Sequence, residues 1–170
     1  MKIGIDISSI HTGRGPGRYT SEILSALGSI STNNISFNLY SPFKDTLEAL
    51  TSAFSFIHIP TEKHKPWLNW TLLRQTIKDK IDLMFFPAND CWLIPLKPTI
   101  VTLHDIAPVT VLKKYHKSKF DLIQVKLQHL FARFFAKKIV TVSNYSAGQL
   151  QTHLKIPHNK IEVIYNGIKP

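Results

Sequence analysis

The sequence predicts an α/β protein with a doubly wound, mostly parallel sheet of about seven strands and helices on both faces. Short apolar runs alternate with amphipathic stretches along the chain, and polar residues directly follow several of the apolar runs. With 170 residues, of which 44% are hydrophobic, the chain is long enough to bury a core of its own. We therefore expect residues 1–170 to form a single domain.

Seven apolar runs have the length and composition of buried strands, and five segments have helical periodicity. The expected strands cover residues 2–8, 35–41, 55–59, 81–86, 99–104, 138–142 and 160–165. The expected helices cover residues 18–28, 46–53, 67–78, 118–136 and 144–154. Five prolines fall between these elements, where a missing N–H costs little: Pro66, Pro87, Pro95, Pro98 and Pro108.

The first expected strand runs into a glycine-rich turn, GRGPG at residues 13–17, and then into a helix. Glycines let backbone N–H groups approach a ligand, and a helix start adds partial positive charge, so this order indicates an anion site. A dinucleotide-binding fingerprint fails, because Arg18 stands where a third glycine or alanine is needed. The second strand ends in LYSP without a carboxylate for a ribose, and no Walker lysine follows the loop. Nicotinamide, flavin and P-loop enzymes are therefore disfavoured.

Polar side chains follow three further expected strands, as Asn89-Asp90, His104-Asp105 and Ser143-Asn144. In doubly wound sheets, ligands bind beyond the carboxyl ends of the strands, where the strand order reverses. His104 titrates near neutrality and can position a sugar hydroxyl or a phosphate, and Asp105 could orient it or cap the next segment. These strand ends, together with the glycine turn, indicate one binding site at the carboxyl edge.

The formal charge of +10 predicts an anionic partner, and residues 113–138 supply +7 of it through eight Lys/Arg and one acid. On a helix, the apolar residues Phe120, Ile123, Leu127, Leu130 and Phe134 share one stripe. Two interpretations stay open: a core-packed helix with a solvated basic edge, or docking on an anionic membrane leaflet. The candidate membrane-facing residues are Lys113, Lys114, Lys117, Lys119, Lys126 and Arg133.

Composition also limits the compartment and the chemistry. The single cysteine, Cys91, excludes an internal disulfide framework and is expected to be a small buried hydrophobe. The N-terminus has no apolar signal segment, and no run approaches the roughly 18 apolar residues of a membrane span. The remaining histidines lack metal-ligand spacing, so no metal site is expected. We expect a cytoplasmic, soluble protein.

Three segments carry a family resemblance: GIDISSIHTGRGPGRYTSEIL, PTIVTLHDIAPV and KKIVTVSNYSAGQLQTHLKIPHNKIEVIYNGI. Together they resemble the N-terminal domain of retaining glycosyltransferases of family 4, which have a GT-B fold of two Rossmann-like domains facing across a cleft. The similarity spans Met1 to Pro170. Within this family, the Arg18-Tyr19 form of the first motif and the His104-Asp105 form of the central motif resemble those of bacterial mannosyltransferase-like enzymes of surface polysaccharide assembly.

The resemblance implies that this domain binds the acceptor, while a C-terminal domain with an E-x7-E motif holds the nucleotide-sugar. Residues 166–170 would then begin the linker to that second domain. The implied catalytic residues are His104, which meets the transferred sugar, and Asp105 beside it. The implied substrate- and diphosphate-binding residues are Gly13, Gly15, Gly17, Arg18, Asn89 and Ser143.

One residue departs from the family pattern. Pro16 stands where the family usually has a small apolar residue, and it removes one N–H from the glycine segment. Gly15 and Gly17 are therefore the expected donors. The family implies no metal and no cofactor beyond the nucleotide-sugar substrate.

Three classes of function follow. The favoured one is the acceptor-binding half of a glycosyltransferase that transfers a hexose, such as mannose, to a glycan or lipid-linked acceptor. The second is a nucleic-acid-binding domain, which only the charge supports, since no recognition signature is present. The third is a stand-alone Rossmann-like binding or adaptor domain.

Overall fold

A computed structural model describes residues 1–13, 15–30, 34–43, 54–60, 67–93, 96–106 and 119–167. Seven strands form one sheet in the order β3-β2-β1-β4-β5-β6-β7, and every neighbouring pair is parallel. The strands are β1 (Lys2–Asp6), β2 (Ser36–Ser41), β3 (Ser55–His58), β4 (Leu83–Phe86), β5 (Thr99–Thr102), β6 (Lys138–Thr141) and β7 (Ile161–Val163). The predicted strands are all present, although most are shorter than predicted.

In the described ranges, four α-helices lie between these strands: α1 (Gly15–Ser29), α2 (Leu73–Lys78), α3 (Lys119–Phe135) and α4 (Asn144–Leu154). A π-helical segment, Trp67–Leu72, leads directly into α2, and short 3-10 turns cover Ser8–Thr12 and His158–Lys160. The helix predicted over residues 46–53 lies outside the described residues.

The two halves of the sheet meet between β1 and β4. From β1 the chain moves outward through β2 to β3, and it then returns to β4 on the other side of β1 and continues through β7. This reversal opens a crevice beyond the carboxyl ends of β1 and β4, which is where doubly wound sheets bind ligands.

The core consists of two apolar clusters, one on each face of the sheet. Ile5, Phe37 and Leu39 pack with Leu24 of α1 in the first cluster. In the second, residues of β4, β5 and β6 pack with α2, α3 and α4; its members include Leu73, Phe86, Val101, Ala132, Ile139 and Leu150. Cys91 belongs to the second cluster and is buried, as expected. Helices therefore cover both faces, which confirms the predicted fold class.

The orientation of α3 differs from the core-packed interpretation. Its inner side is formed by Gln128, His129 and Ala132, which are buried. The apolar stripe faces outward instead: the side chains of Ile123, Leu127, Leu130 and Phe134 are 54%, 45%, 48% and 57% exposed. The side-chain position of Phe120 lies outside the description.

The C-terminus of α3 is fixed by a lysine from the 3-10 turn before β7. Lys160 Nζ donates hydrogen bonds to the carbonyl oxygens of Arg133 and Phe134, at 2.8 and 3.0 Å. A cation at the helix C-terminus satisfies these carbonyls and opposes the helix dipole. Burial and the neighbouring Lys137 charge lower the pKa of Lys160.

The glycine segment is largely helical. The first helix begins at Gly15 rather than at the predicted Arg18, so Pro16 occupies the first turn, where a backbone N–H has no helical partner. Gly13 has a left-handed φ of 61° and ends the 3-10 turn, a conformation that favours glycine. Gly17 is buried, and a Cβ there would lie 2.5 Å from the carbonyl oxygen of Ser9.

The two helical glycines give a matched pair for a stability test. Gly17→Ala should lower the free energy of unfolding by about 1–3 kcal/mol, because the new methyl group would meet backbone atoms that cannot move away freely. Gly15→Ala should change it by less than about 0.5 kcal/mol, because nothing lies within 4 Å of a Cβ at that position. Urea denaturation of the two variants and the wild type measures both values. Equal destabilisation by the two substitutions would contradict this account of Gly17.

Candidate functional site

The candidate site lies at the carboxyl edge of the sheet, around the crevice between β1 and β4. The ends of β1, β4, β5 and β6 follow one another along this edge, since these strands are consecutive in the sheet. Side chains from the 87–92 loop after β4, from α1 and from α4 reach the end of β5. The predicted strand-end residues therefore come together at one edge.

His104 follows β5 and is held by three hydrogen bonds. Its Nε2 lies 2.9 Å from the carbonyl oxygen of Pro87, and its backbone N–H donates to Asn89 Oδ1 at 2.7 Å. Its carbonyl oxygen accepts from Ser146 Oγ at 3.0 Å. Because a carbonyl oxygen can only accept, Nε2 carries the proton, which leaves Nδ1 as an acceptor in the neutral ring.

The environment of His104 favours the neutral ring. Burial lowers the pKa of His104, and the hydrogen bond to Pro87 and the charge of Asp105 only partly oppose this effect. Asp105 itself is exposed. At neutral pH, His104 is therefore suited to accepting a hydrogen bond from a hydroxyl group.

Tyr19 of α1 is a site residue to which sequence reasoning assigned no role. Its ring meets the His104 ring edge to face, with 4.6 Å between centroids, and its hydroxyl lies 3.4 Å from Thr102 Oγ1. Burial raises the pKa of Tyr19 and so keeps its hydroxyl protonated. The sequence signal was its place one turn into the helix after the glycine segment. The contact brings the start of α1, with Gly15 and Arg18 both exposed, to the same edge as His104.

Asn89 and Ser143 both have structural roles at this edge. Asn89 has a left-handed φ of 52° and donates its N–H to the carbonyl oxygen of Thr102 at 2.9 Å, while its side chain holds His104. Ser143 caps α4 by accepting from the backbone N–H of Ser146 at 3.0 Å. Contact of Asn89, Ser143, Arg18 or the glycines with substrate stays a prediction.

Two carboxylates, Asp6 and Asp90, interact at the crevice, and the sequence did not predict this pairing. Asp6 ends β1 and is buried, and its Oδ1 accepts from the N–H of Ser8 at 3.0 Å. Asp90 keeps solvent contact although protein atoms crowd its carboxylate, and it accepts from Gln128 Nε2 at 3.3 Å. Burial and then the Asp6 charge raise the pKa of Asp90 to about 7, against the opposing hydrogen bond from Gln128.

A second histidine, His129 of α3, lies beneath this edge. Its Nδ1 lies 2.9 Å from the carbonyl oxygen of Val125, and its Nε2 has no hydrogen-bond partner among the described residues. Burial lowers the pKa of His129, while Val125 and the charge of Asp105 oppose the shift. Asp105 thus acts electrostatically on both histidines.

The predicted membrane-facing residues fall partly outside the description. Lys113, Lys114 and Lys117 lie outside it, and Lys119 begins α3. Lys126 is exposed, and the Arg133 guanidinium lies over the Phe134 ring, 5.0 Å from its centroid. In the part of the chain that the structure describes, no helix has the length and apolar character needed to cross a membrane. No grouping of three or more His, Cys, Asp or Glu that could hold a metal occurs within those same residues.

The Asp6–Asp90 pair predicts an unusual titration. The Asp90 carboxyl should titrate near pH 7, far above the ordinary value of about 3.9. Asp6→Asn should lower the pKa of Asp90 by removing a neighbouring negative charge, whereas Gln128→Leu should raise it by removing a donor to the charged form. Side-chain carboxyl chemical shifts followed by NMR against pH measure these midpoints. A wild-type midpoint near 4 would refute the assignment.

The comparisons with known proteins agree with this fold. The profile of Glycosyltransferase Family 4 matches residues 14–170. The crystal structure of a glycosyltransferase from Rickettsia africae ESF-5 has the same fold, with a TM-score of 0.53 and 18% sequence identity over 98% of this chain. The match covers 43% of the Rickettsia chain, so this chain spans less than half of that protein. No curated protein sequence shows significant similarity. The fold, the position of the site and the profile match over most of the chain lead to one conclusion: this chain belongs to glycosyltransferase family 4.

Proposed function

We propose that this chain is the acceptor-binding half of a glycosyltransferase. The full protein would transfer a hexose, with mannose as the first candidate, from a nucleotide-sugar to a glycan or lipid-linked acceptor in cell-surface polysaccharide synthesis. A C-terminal domain would hold the nucleotide, and no further cofactor is proposed. The Arg18-Tyr19 and His104-Asp105 forms of the motifs support the choice of mannose.

The observation that carries the proposal is the fixed position of His104 after β5, one strand from the switch point of a family 4 domain. Its backbone is held from two sides by Asn89 and Ser146, and its Nε2 is engaged by Pro87. A residue held in this way keeps its remaining ring nitrogen in one place, and such preorganisation is what a reaction centre requires. Both neighbouring elements, α1 and the 87–92 loop, offer polar groups beside it.

The chain's own groups suggest a division of labour in the transfer. The reaction breaks the bond between the anomeric carbon and the diphosphate oxygen and forms a bond to the acceptor oxygen, whose hydroxyl proton would pass to the leaving diphosphate oxygen. His104 Nδ1 would accept a hydrogen bond from a hydroxyl of the transferred sugar. The N–H groups of the exposed residues Gly15 and Arg18 at the start of α1, together with the Arg18 guanidinium, would stabilise the leaving diphosphate.

Substitution of His104 in the full-length protein tests this role. His104→Gln should lower kcat on the order of 100-fold with little change in the donor KM, because glutamine can still donate to Pro87 but offers no acceptor at the Nδ1 position. His104→Asn, whose side-chain oxygen can occupy that position, should recover part of the rate. Steady-state kinetics with nucleotide-mannose and nucleotide-glucose donors provide the measurement.

The control for this experiment is His153→Ala, at an exposed position on α4. It should leave kcat unchanged. Equal rates for wild type and His104→Gln would refute the role of His104. We also expect no transfer by residues 1–170 alone, because one wall of the cleft cannot position both substrates.

We further propose that α3 docks the protein on the anionic inner face of the plasma membrane, where a lipid-linked acceptor would reside. Five large apolar side chains of α3 are about half exposed: Ile123, Leu127, Leu130, Phe134 and Phe135. Leu93 and Phe131 extend this surface into a groove of about 290 Å³. Lys126 and Arg133 lie on the same helix. An apolar face beside lysine and arginine side chains suits insertion among anionic headgroups.

Vesicle binding tests the docking face. The purified chain should sediment with vesicles that contain phosphatidylglycerol and should be released by raised salt. The double variant Lys126→Gln/Arg133→Gln should weaken binding about 30-fold, because each charge contributes about 1 kcal/mol to the binding free energy. Lys80→Gln, an exposed lysine beyond α2, is the control and should bind as the wild type does. Equal binding to neutral phosphatidylcholine vesicles, or dimerisation through α3 in solution, would refute membrane docking.

A further inference from the structure

A second groove lies toward the β3 edge of the sheet, whereas α3 packs with β4, β5 and β6. It runs between the end of β3 and the helical segment that contains α2, and its volume is about 590 Å³. Pro60 lies on the strand side, and the helix side is formed by Trp70, Arg74, Gln75 and Lys78. The side chains that border it are thus one large aromatic ring, two cations and polar groups.

The aromatic residue of this groove is unusually exposed. Trp70 is 54% exposed, although the adjoining Leu72 and Leu73 are buried in the core. It belongs to the π-helical segment Trp67–Leu72, a rare backbone form that occurs frequently at functional sites. The buried leucines anchor the segment while the indole stays at the surface. An exposed, well-anchored indole is typical of a binding surface.

The two cations of the groove are not neutralised within the described part of the chain. Arg74 and Lys78 follow Trp70 at intervals of four residues, and both are exposed. The acid nearest to them in sequence, Asp79, accepts hydrogen bonds from the hydroxyl of Tyr40 at 2.8 Å and from Gln75 Nε2 at 3.0 Å. No described carboxylate forms an ion pair with Arg74 or Lys78. With respect to the described residues, the groove therefore presents positive charge without a carboxylate partner beside an aromatic ring.

The groove begins at the same edge of the sheet as the candidate site. Pro60 follows β3 at its carboxyl end, and His104 follows β5 at that strand's carboxyl end. Four strand spacings separate β3 from β5, which is about 19 Å at about 4.8 Å per spacing. A sugar chain of several units spans such a distance along the edge of the sheet.

We propose that this groove binds an anionic stretch of the glycan acceptor, a chain with uronic acid or phosphate groups, while the acceptor's reactive end lies near His104. This inference rests on the proposed function. The indole stacks on the apolar face of one sugar ring, and Arg74 and Lys78 contact the acidic groups of the same chain. Charge-assisted hydrogen bonds from Arg74 would give the contact its preference for acidic sugars.

Direct binding tests the groove without any transfer reaction. The chain is titrated with oligogalacturonate, with the neutral maltoheptaose and with oligo(dT), by calorimetry and by tryptophan fluorescence. Oligogalacturonate should bind saturably and change the fluorescence, and maltoheptaose should bind at least about tenfold more weakly. In a Trp67→Phe background, Trp70→Phe should remove the fluorescence change, because the third tryptophan, Trp92, is buried in the core. Arg74→Gln and Lys78→Gln should each weaken oligogalacturonate binding about tenfold, because each variant loses one strong contact.

The charge-matched control is Lys155→Gln, an exposed position at the end of α4, beyond the other edge of the sheet. It should bind oligogalacturonate as tightly as the wild type. The proposal is overturned if Lys155→Gln weakens binding as much as Arg74→Gln does, or if oligo(dT) binds more tightly than oligogalacturonate. If full-length Trp70→Phe and Arg74→Gln variants transfer sugar at the wild-type rate, the proposal for the groove alone is overturned. Intact groove binding by a full-length protein that transfers no sugar would overturn the proposed function alone.

Discussion

The site depends on the contact between the 87–92 loop and the end of β5. The side-chain oxygen of Asn89 holds the backbone of His104, and the carbonyl oxygen of Pro87 engages the His104 ring. The same loop donates the N–H of Asn89 to Thr102, and Cys91 Sγ donates to the carbonyl oxygen of Gln128 on α3. The 87–92 loop thereby joins the end of β5 to α3. Because these hydrogen bonds are partly or fully buried, breaking one leaves polar groups that water cannot easily satisfy.

The buried side of α3 is hydrogen-bonded to the 87–92 loop. Gln128 reaches from this side of the helix to the carboxylate of Asp90 and to the carbonyl oxygen of Cys91, at 3.3 and 3.4 Å. Because Gln128, His129 and Ala132 form the buried side, Leu127 and Leu130 face away from the sheet. The same helix therefore supports the site with its inner side and carries on its outer side the exposed apolar surface for which we propose membrane docking.

The proposed functions share one geometry. A parallel sheet collects the ends of its strands at one edge, so a histidine, a helix start and a carboxylate pair from distant parts of the sequence become neighbours. The Trp70 groove begins at that edge on one side, and α3 covers the sheet on the other half. An acceptor that is anchored in a membrane and carries acidic sugars could contact both surfaces while its reactive end lies near His104.

The sequence alone determined the fold class and most of the polar residues that lie at the carboxyl edge of the sheet. It could do so because strand periodicity and the position of polar residues after apolar runs are local properties. It thereby identified His104, Asn89 and the start of α1. The pairing of Asp6 with Asp90, the contact of Tyr19 with His104 and the packing role of Gly17 depend on strand order and on distances between distant segments, so only the tertiary structure decided them. Only the tertiary structure decided that the apolar stripe of α3 faces outward. Helical periodicity identifies an apolar stripe, but contacts with the sheet decide which side of a helix is buried.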